Sequence, residues 1–248
     1  MMMKKTIYFL VLLILPISLI AQKADKIIKK PLLKREKSFG INFNSDGWGV
    51  GYRLGKAITY KNKKTWDINF SFIGDSKQER QLWISASSSA KSFFYGKLEY
   101  FYGLQIMRGR QKIIAEKPYW GGVEIRWFYY GGLNVGIGKP IYLYVFDQAT
   151  NNSVVLEKYD PTKHEIEDIF GRGPYTKGLS ELSIHPGLSF KLGLNVEFEA
   201  FQEKTKAFEA GIIVDTYAIP IQIMGLNEPE YFKIRLFLAF RFGSRYNK

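Results

Sequence analysis

The sequence predicts an all-β chain that closes as a transmembrane antiparallel up-and-down β-barrel, and three observations carry that prediction. Residues 231–242 set Phe232, Ile234, Leu236, Leu238, Phe240 and Phe242 on one face and Lys233, Arg235 and Arg241 on the other with Phe237 and Ala239, the period of two that marks a strand. The stretch has about the length of a tilted membrane-crossing strand, roughly 9 to 11 residues. Aromatics make up 16% of the 248 residues, a bias toward strands over helices. Cysteine is absent, which excludes disulfides, thiolate metal sites and a lipidated cysteine.

Taken in order, Lys4 and Lys5 precede a short apolar run that ends near Ala21. A positive start, an apolar centre and a small residue at the end describe a secretory signal, residues 1–21. The run is too short for a membrane-spanning helix, which needs about 20 residues. Residues 22–38 carry Lys23, Lys26, Lys29, Lys30, Lys34 and Arg35 around Pro31 and read as a basic periplasmic linker. The net charge of +13 suits anionic lipid headgroups or lipopolysaccharide phosphates, and no nucleic-acid motif accompanies it.

The barrel is expected over residues 39–243, with 244–248 as a C-terminal extension. Phe39, Ile41 and Phe43 alternate, and Trp48, Val50, Tyr52 and Leu54 resume in the opposite phase beyond Asp46-Gly47. A hairpin turn and a bulge both produce that change of phase. The bulge is preferred, because the other segments number seven and a bacterial single-chain barrel takes an even number of strands. Those segments are 66–72, 94–106, 123–129, 133–145, 190–198, 208–214 and 231–242. A loop at Tyr130-Gly131-Gly132 would separate the third from the fourth, a turn near Gly138-Lys139-Pro140 being the alternative. Eight strands result, or ten if residues 81–87 hide another. Residues 148–186 form one long loop, placed by counting back from the last strand at the cell surface.

Aromatics recur at segment ends, among them Trp48, Trp66, Tyr100, Tyr102, Tyr129, Tyr130, Tyr231 and Phe242. Such girdles, together with export, point the apolar face toward lipid and the chain to the bacterial outer membrane; a soluble barrel with its apolar face inward shows the same period. The lumen then receives Arg53, Lys97, Arg126, Lys191, Lys233, Arg235 and Arg241 opposite Asp67, Glu99, Glu124, Glu197, Glu199, Glu209 and Asp215. An eight-stranded barrel is only just wide enough for side chains, so these charges must pair and close the lumen.

Chemistry is sparse. Ser183 and His185 share a face, with Glu181 in the same parity, which is the composition of a nucleophilic site at a barrel rim. His164, Glu165, Glu167 and Asp168 offer metal ligands without the His-Glu-x-x-His zinc spacing, and a solvated turn explains them better. Gly132 to Pro140 resembles a phosphate loop, but its glycines are misspaced and Pro140 stands where Ser or Thr belongs. Neither enzyme activity nor a cofactor is expected.

The signal ending Ile20-Ala21-Gln22, the segment Gly40-Ile-Asn-Phe-Asn-Ser-Asp-Gly-Trp-Gly-Val-Gly51, the stretch Gly138-Lys139-Pro140-Ile-Tyr-Leu and the ending Phe240-Arg241-Phe242-Gly243 resemble the Bacteroidota-type outer-membrane β-barrel proteins, within the PorT-like and OmpA/OmpX-like small barrels. The resemblance covers nearly all of the mature chain and implies outer-membrane location, contact with outer-membrane lipid and lipopolysaccharide, and handling by the barrel-insertion machinery. It also implies membership of a larger envelope complex for secretion, assembly or transport, as an accessory subunit. The alternatives are a rim-acting lipid hydrolase or acyltransferase and a narrow pore or ligand-binding barrel.

Overall fold

A computed structural model describes residues 34–75, 78, 80–81, 92–118, 122–147, 153–198, 203–225 and 227–247. The expected signal and most of the expected linker lie outside the described residues, as do Glu199 and the stretch 82–87. The elements are β1 (Arg35–Asn44), β2 (Gly47–Ala57), β3 (Asn62–Ile73), β4 (Arg80–Gln81), β5 (Phe93–Phe94), β6 (Glu99–Ala115), β7 (Glu124–Pro140), β8 (Tyr142–Asp147), β9 (Ser153–Lys158), a 3-10 turn (Ile166–Asp168), β10 (Ile169–Arg172), β11 (Ser183–Glu197), β12 (Lys204–Ile221) and β13 (Glu230–Tyr246). Strands β1, β2, β3, β6, β7, β11, β12 and β13 pair in that order and β13 returns to β1, a closed antiparallel barrel of eight. A small sheet of order β10-β8-β9 stands on the connection between β7 and β11, and β4 pairs with β5.

The total of eight strands agrees with the sequence reading, but the segments differ. Residues 35–57 are no bulged strand: Asn44 pairs with Gly47 across a tight turn at Ser45-Asp46, so β1 and β2 form a hairpin. Conversely β7 runs unbroken through Gly131 and Gly132, where a loop was expected. A loop of odd length preserves parity, and so does no loop, so alternation does not distinguish the two. The expected strand 133–145 is divided, its first part finishing β7 at Pro140 and the rest leaving the barrel as β8. The strand expected from residue 94 begins at Glu99 and runs on to Ala115. At the ends, β1 starts at Arg35 and β13 continues to Tyr246, so residues assigned to linker and extension belong to the wall, with Glu36 opposite Arg245. Residues 183–186, assigned to the long loop, open β11.

The wall is apolar outside, and inside it is polar apart from a cluster of Met107, Phe128, Tyr130, Ile213, Phe237 and Ala239. Phe39, Trp48, Trp66, Leu133, Leu188, Phe190, Ile234, Leu236 and Phe240 are exposed, whereas Asn42, Arg53, Asp67, Asn69, Lys191, Glu209, Asp215 and Arg241 are buried. That inversion of the usual soluble arrangement is stable only with hydrocarbon around the wall. No helix among the described residues is long and apolar enough to cross a membrane; the crossing is made by the strands. Small residues give the lumen its room. A Cβ on Gly51 would stand 2.2 Å from Asn69 Oδ1 and one on Gly49 3.0 Å from Ser71 Cβ, so these inward positions of β2 are kept clear for the side chains of β3.

The two ends of the barrel differ. One, the termini end, is where β1 begins and β13 finishes, and it carries the connections β2–β3, β6–β7 and β11–β12; the other carries the turn after β1 and the longer connections of residues 74–98 and 141–182. At the loop end Ile73, Phe101, Tyr217, Ile221, Ile223 and Met224 form an apolar plug across the mouth. A separate core of Phe93, Ile141, Leu143, Val145, Tyr159 and Ile169 holds the cap that contains the small sheet.

Candidate functional site

The lumen is organised around two carboxylates facing three cations. Arg53 Nε donates to Asp67 Oδ1 at 2.9 Å and its other nitrogens grip both oxygens of Glu209. Arg241 bonds Glu209 Oε2 at 2.7 Å and approaches Asp67 at 3.1 Å, while Lys191 Nζ lies 3.4 Å from Asp67 Oδ2. Asn195 and Asn69 donate the remaining bonds, to Glu209 at 2.7 Å and Asp67 at 2.9 Å. The strand register sets up the convergence: Arg53 stands directly opposite Asp67 and Glu209 directly opposite Asn195, all four pointing into the same narrow bore. Aromatic rings complete it, with Arg53 over Tyr130 and Phe128 and Lys191 Nζ 4.4 Å from the Phe237 ring centre. Charges taken from water are tolerable when every one is paired and hydrogen-bonded, and guanidinium groups do this over carboxylates in two directions at once.

Two further clusters extend the closure. Toward the loop end Arg235 pairs with Asp215 and lies 3.8 Å from Asp46, and Gln105 donates to Asp215 at 2.8 Å. At the termini end Arg126 pairs with Glu124, and Arg245 bridges Glu197 and Glu36, which also takes Lys63 at 2.5 Å. Glu36, Lys63, Arg245 and Asp46 were missed by the sequence reading. For Glu36 and Arg245 the signal was present, since the alternation continues past the boundaries drawn for the barrel.

Some expected lumen residues lie elsewhere. Lys97 sits above the mouth, within 5.2 Å of the Phe72, Phe94 and Tyr100 ring centres and 2.9 Å from Gln78 Oε1. Burial there pushes its ammonium down to about 8 against the opposing pull of Asp75. Lys233 pairs with Glu230 at 2.8 Å at the start of β13. Glu99 is half-buried at the mouth and joins a different group.

That group contains the dyad. His185 Nε2 lies 3.1 Å from Ser183 Oγ, and His185 Nδ1 faces the Ile219 carbonyl at 3.2 Å. The carboxylate beside them is Glu99, whose Oε2 accepts from Ser183 at 3.1 Å. Glu181 is turned away, accepting from the Tyr142 hydroxyl at 2.6 Å and standing 3.7 Å from Lys158. Gly138 makes the contact possible, since a Cβ there would come within 1.9 Å of Glu99 and 2.2 Å of Ser183. His185 packs edge-on against Phe101 of the plug. The dyad therefore faces the lumen mouth. A serine hydroxyl has one proton, and here Glu99, the Gly138 carbonyl at 3.3 Å and His185 all compete for it.

The metal candidates do not converge. His164 accepts from the Asp160 amide through Nδ1 at 3.2 Å and meets Glu157 at 3.4 Å, while Asp168 accepts from the Glu165 amide at 3.3 Å and closes its own turn. Glu165 and Glu167 are exposed, and no cluster of metal-ligating side chains occurs among the described residues. The glycine run of residues 132–138 lies inside β7, where it forms wall and cannot cradle a phosphate as a loop would.

No protein-family model and no curated protein matches the chain. Among solved structures, the chain is similar to Neisserial surface protein A (NspA), with a TM-score of 0.38 and 9% identity over 86% of this chain and 96% of that one. It is likewise similar to Ail, the attachment invasion locus protein of Yersinia pestis, with a TM-score of 0.41 and 7% identity over 87% of this chain and 100% of that one. The closed wall of eight strands, with its apolar exterior and ion-paired interior, is that of a small β-barrel that crosses a membrane with its strands.

Proposed function

We propose that this outer-membrane barrel is a non-conducting, non-catalytic structural subunit, an accessory to a larger envelope machine for secretion, assembly or transport. The observation that carries the reading is the lumen, filled by the Arg53, Asp67, Lys191, Glu209 and Arg241 network and stopped at the loop end by the apolar plug. A bore so filled leaves the outer wall and the folded cap as the surfaces available for work. The resemblance to Bacteroidota-type barrels of the PorT-like group favours the same role. In planar bilayers the purified protein is expected to give no stable single-channel steps. Crosslinking in native membranes followed by mild-detergent pull-down is expected to recover a reproducible large partner, and a solitary monomer would count against the accessory role.

The 3.1 Å contact between Ser183 and His185 favours a second reading, a hydrolase or acyltransferase at the rim. Against it, the Ser183 proton is drawn to Glu99, and His185 is oriented by a neutral carbonyl in place of a carboxylate. Replacing His185 by Ala is expected to leave lipid A and esterase profiles of the cell envelope unchanged; loss of a lipid species or of ester cleavage would establish the enzyme.

A further inference from the structure

Strand β6 is longer than a crossing requires. It runs 17 residues, against roughly 9 to 11 for a tilted transmembrane strand. Its outward face reads Leu104, Ile106, then Arg108, Arg110 and Lys112, and the three cations are exposed. They stand toward the termini end of the barrel. The register gives each its neighbours: Arg110 lies between Lys64 of β3 and Tyr129 of β7, and Arg108 between Trp66 of β3 and Gly131 of β7. The Arg108 guanidinium lies 5.0 Å from the Trp66 ring centre. Lys64 in turn stands opposite Lys56, and Lys56 opposite Arg35, so the row of positive charge crosses adjacent strands.

Among the described residues of these strands no carboxylate interrupts it, and Glu116, just beyond β6, is taken by Lys61 at 3.3 Å. Every acidic residue of β1, β2, β3, β6 and β7 has the inward parity, and the outward faces of these strands hold none. Like charges directly opposite one another destabilise a sheet, and a cation on the lipid face is costly unless it lies at the headgroup level. An anion from outside at this level relieves that repulsion. Guanidinium pairs match a phosphodiester in two-point geometry, and Trp66 and Tyr129 are the ring types that sit beside headgroups. Gly131 adds a flat place on the wall: a Cβ there would meet only Phe190, at 3.8 Å, which leaves room for an acyl chain between neighbouring side chains.

We propose that the outer wall of β3, β6 and β7 toward the termini end binds an anionic glycerophospholipid of the inner leaflet, its phosphodiester held by Arg108 and Arg110 with Lys64 and its acyl chain lying against Gly131. With an even number of strands and the longer connections at the opposite end, the termini end faces the periplasm, and lipopolysaccharide belongs to the other leaflet. The site rests on the barrel's membrane placement and is independent of the accessory role.

The test is native mass spectrometry of the mature barrel released from mixed micelles holding equal amounts of dioleoylphosphatidylglycerol and dioleoylphosphatidylcholine. The wild-type protein is expected to retain the phosphatidylglycerol adduct preferentially. The double variant Arg108→Gln, Arg110→Gln is expected to lower that preference about thirtyfold, from two interfacial cations lost. Lys204→Gln, which removes an exposed cation from β12, is expected to leave it within about twofold, because a diffuse surface field is shared by many cations and a site is not. Equal retention of the two lipids by the wild-type protein overturns the proposal and leaves the cation row to a protein partner. An equal drop with Lys204→Gln also overturns it, by showing general electrostatics without a site.

Discussion

Replacing Asp67 by Asn is expected to destabilise the folded barrel by about 3 to 5 kcal/mol, the cost of breaking a buried ion pair on one side. Asp67 is wholly buried and is approached by Arg53 at 2.9 Å, Arg241 at 3.1 Å and Lys191 at 3.4 Å. Without it those cations share Glu209 alone, at a depth where all of them are buried. The measurement is the denaturant midpoint of the barrel refolded in detergent, read from tryptophan fluorescence. The second variant Lys191→Met in the same chain is expected to recover part of the loss, because it removes the cation left without its carboxylate and places an apolar side chain beside Phe237. An unchanged midpoint for the single variant would mean that the network carries no stability.

Deletion of residues 238–248 is expected to abolish outer-membrane assembly. The deleted part of β13 pairs on both sides, with Phe39 opposite Phe242, Ile41 opposite Phe240 and Phe43 opposite Leu238 on β1, and with Phe208 opposite Phe240 on β12. Its loss leaves two strand edges with unpaired backbone groups in hydrocarbon, where each costs several kcal/mol. It also removes Arg241 from Asp67 and Glu209 and Arg245 from Glu36. Fractionation with a heat-modifiability gel reads the result, and a folded, membrane-inserted truncated protein would contradict the closing role of β13.

Much of the wall is legible in the sequence because the pleat forces each side chain to one face. Parity, with the aromatic girdles turning the apolar face to lipid, places Arg53, Asp67, Lys191, Glu209, Asp215, Arg235 and Arg241 inward, and all are buried in the lumen. Parity fails where two backbones produce the same alternation. The change of phase at Asp46 fits a bulge or a hairpin, and the unbroken phase through Gly131 and Gly132 fits a loop or a continuous strand. Both choices went the other way in the structure, and the two errors cancelled in the strand total. The boundaries of the wall failed for a different reason: the charged residues that look like linker, Arg35 to Ser38, are the part of β1 below the apolar belt.

The sequence by itself determined that the chain alternates, which face is apolar, and that the charges of the other face would meet inside a narrow barrel. Those follow from local geometry, since a strand shows its neighbours' faces within two residues. Only the tertiary structure decided which carboxylate meets which cation, that Glu99 and not Glu181 stands at Ser183, and that Arg35, Lys56, Lys64 and Arg110 form one row across four strands. These depend on register, which is set by closure of the whole sheet and brings together residues as far apart in sequence as Arg53 and Glu209.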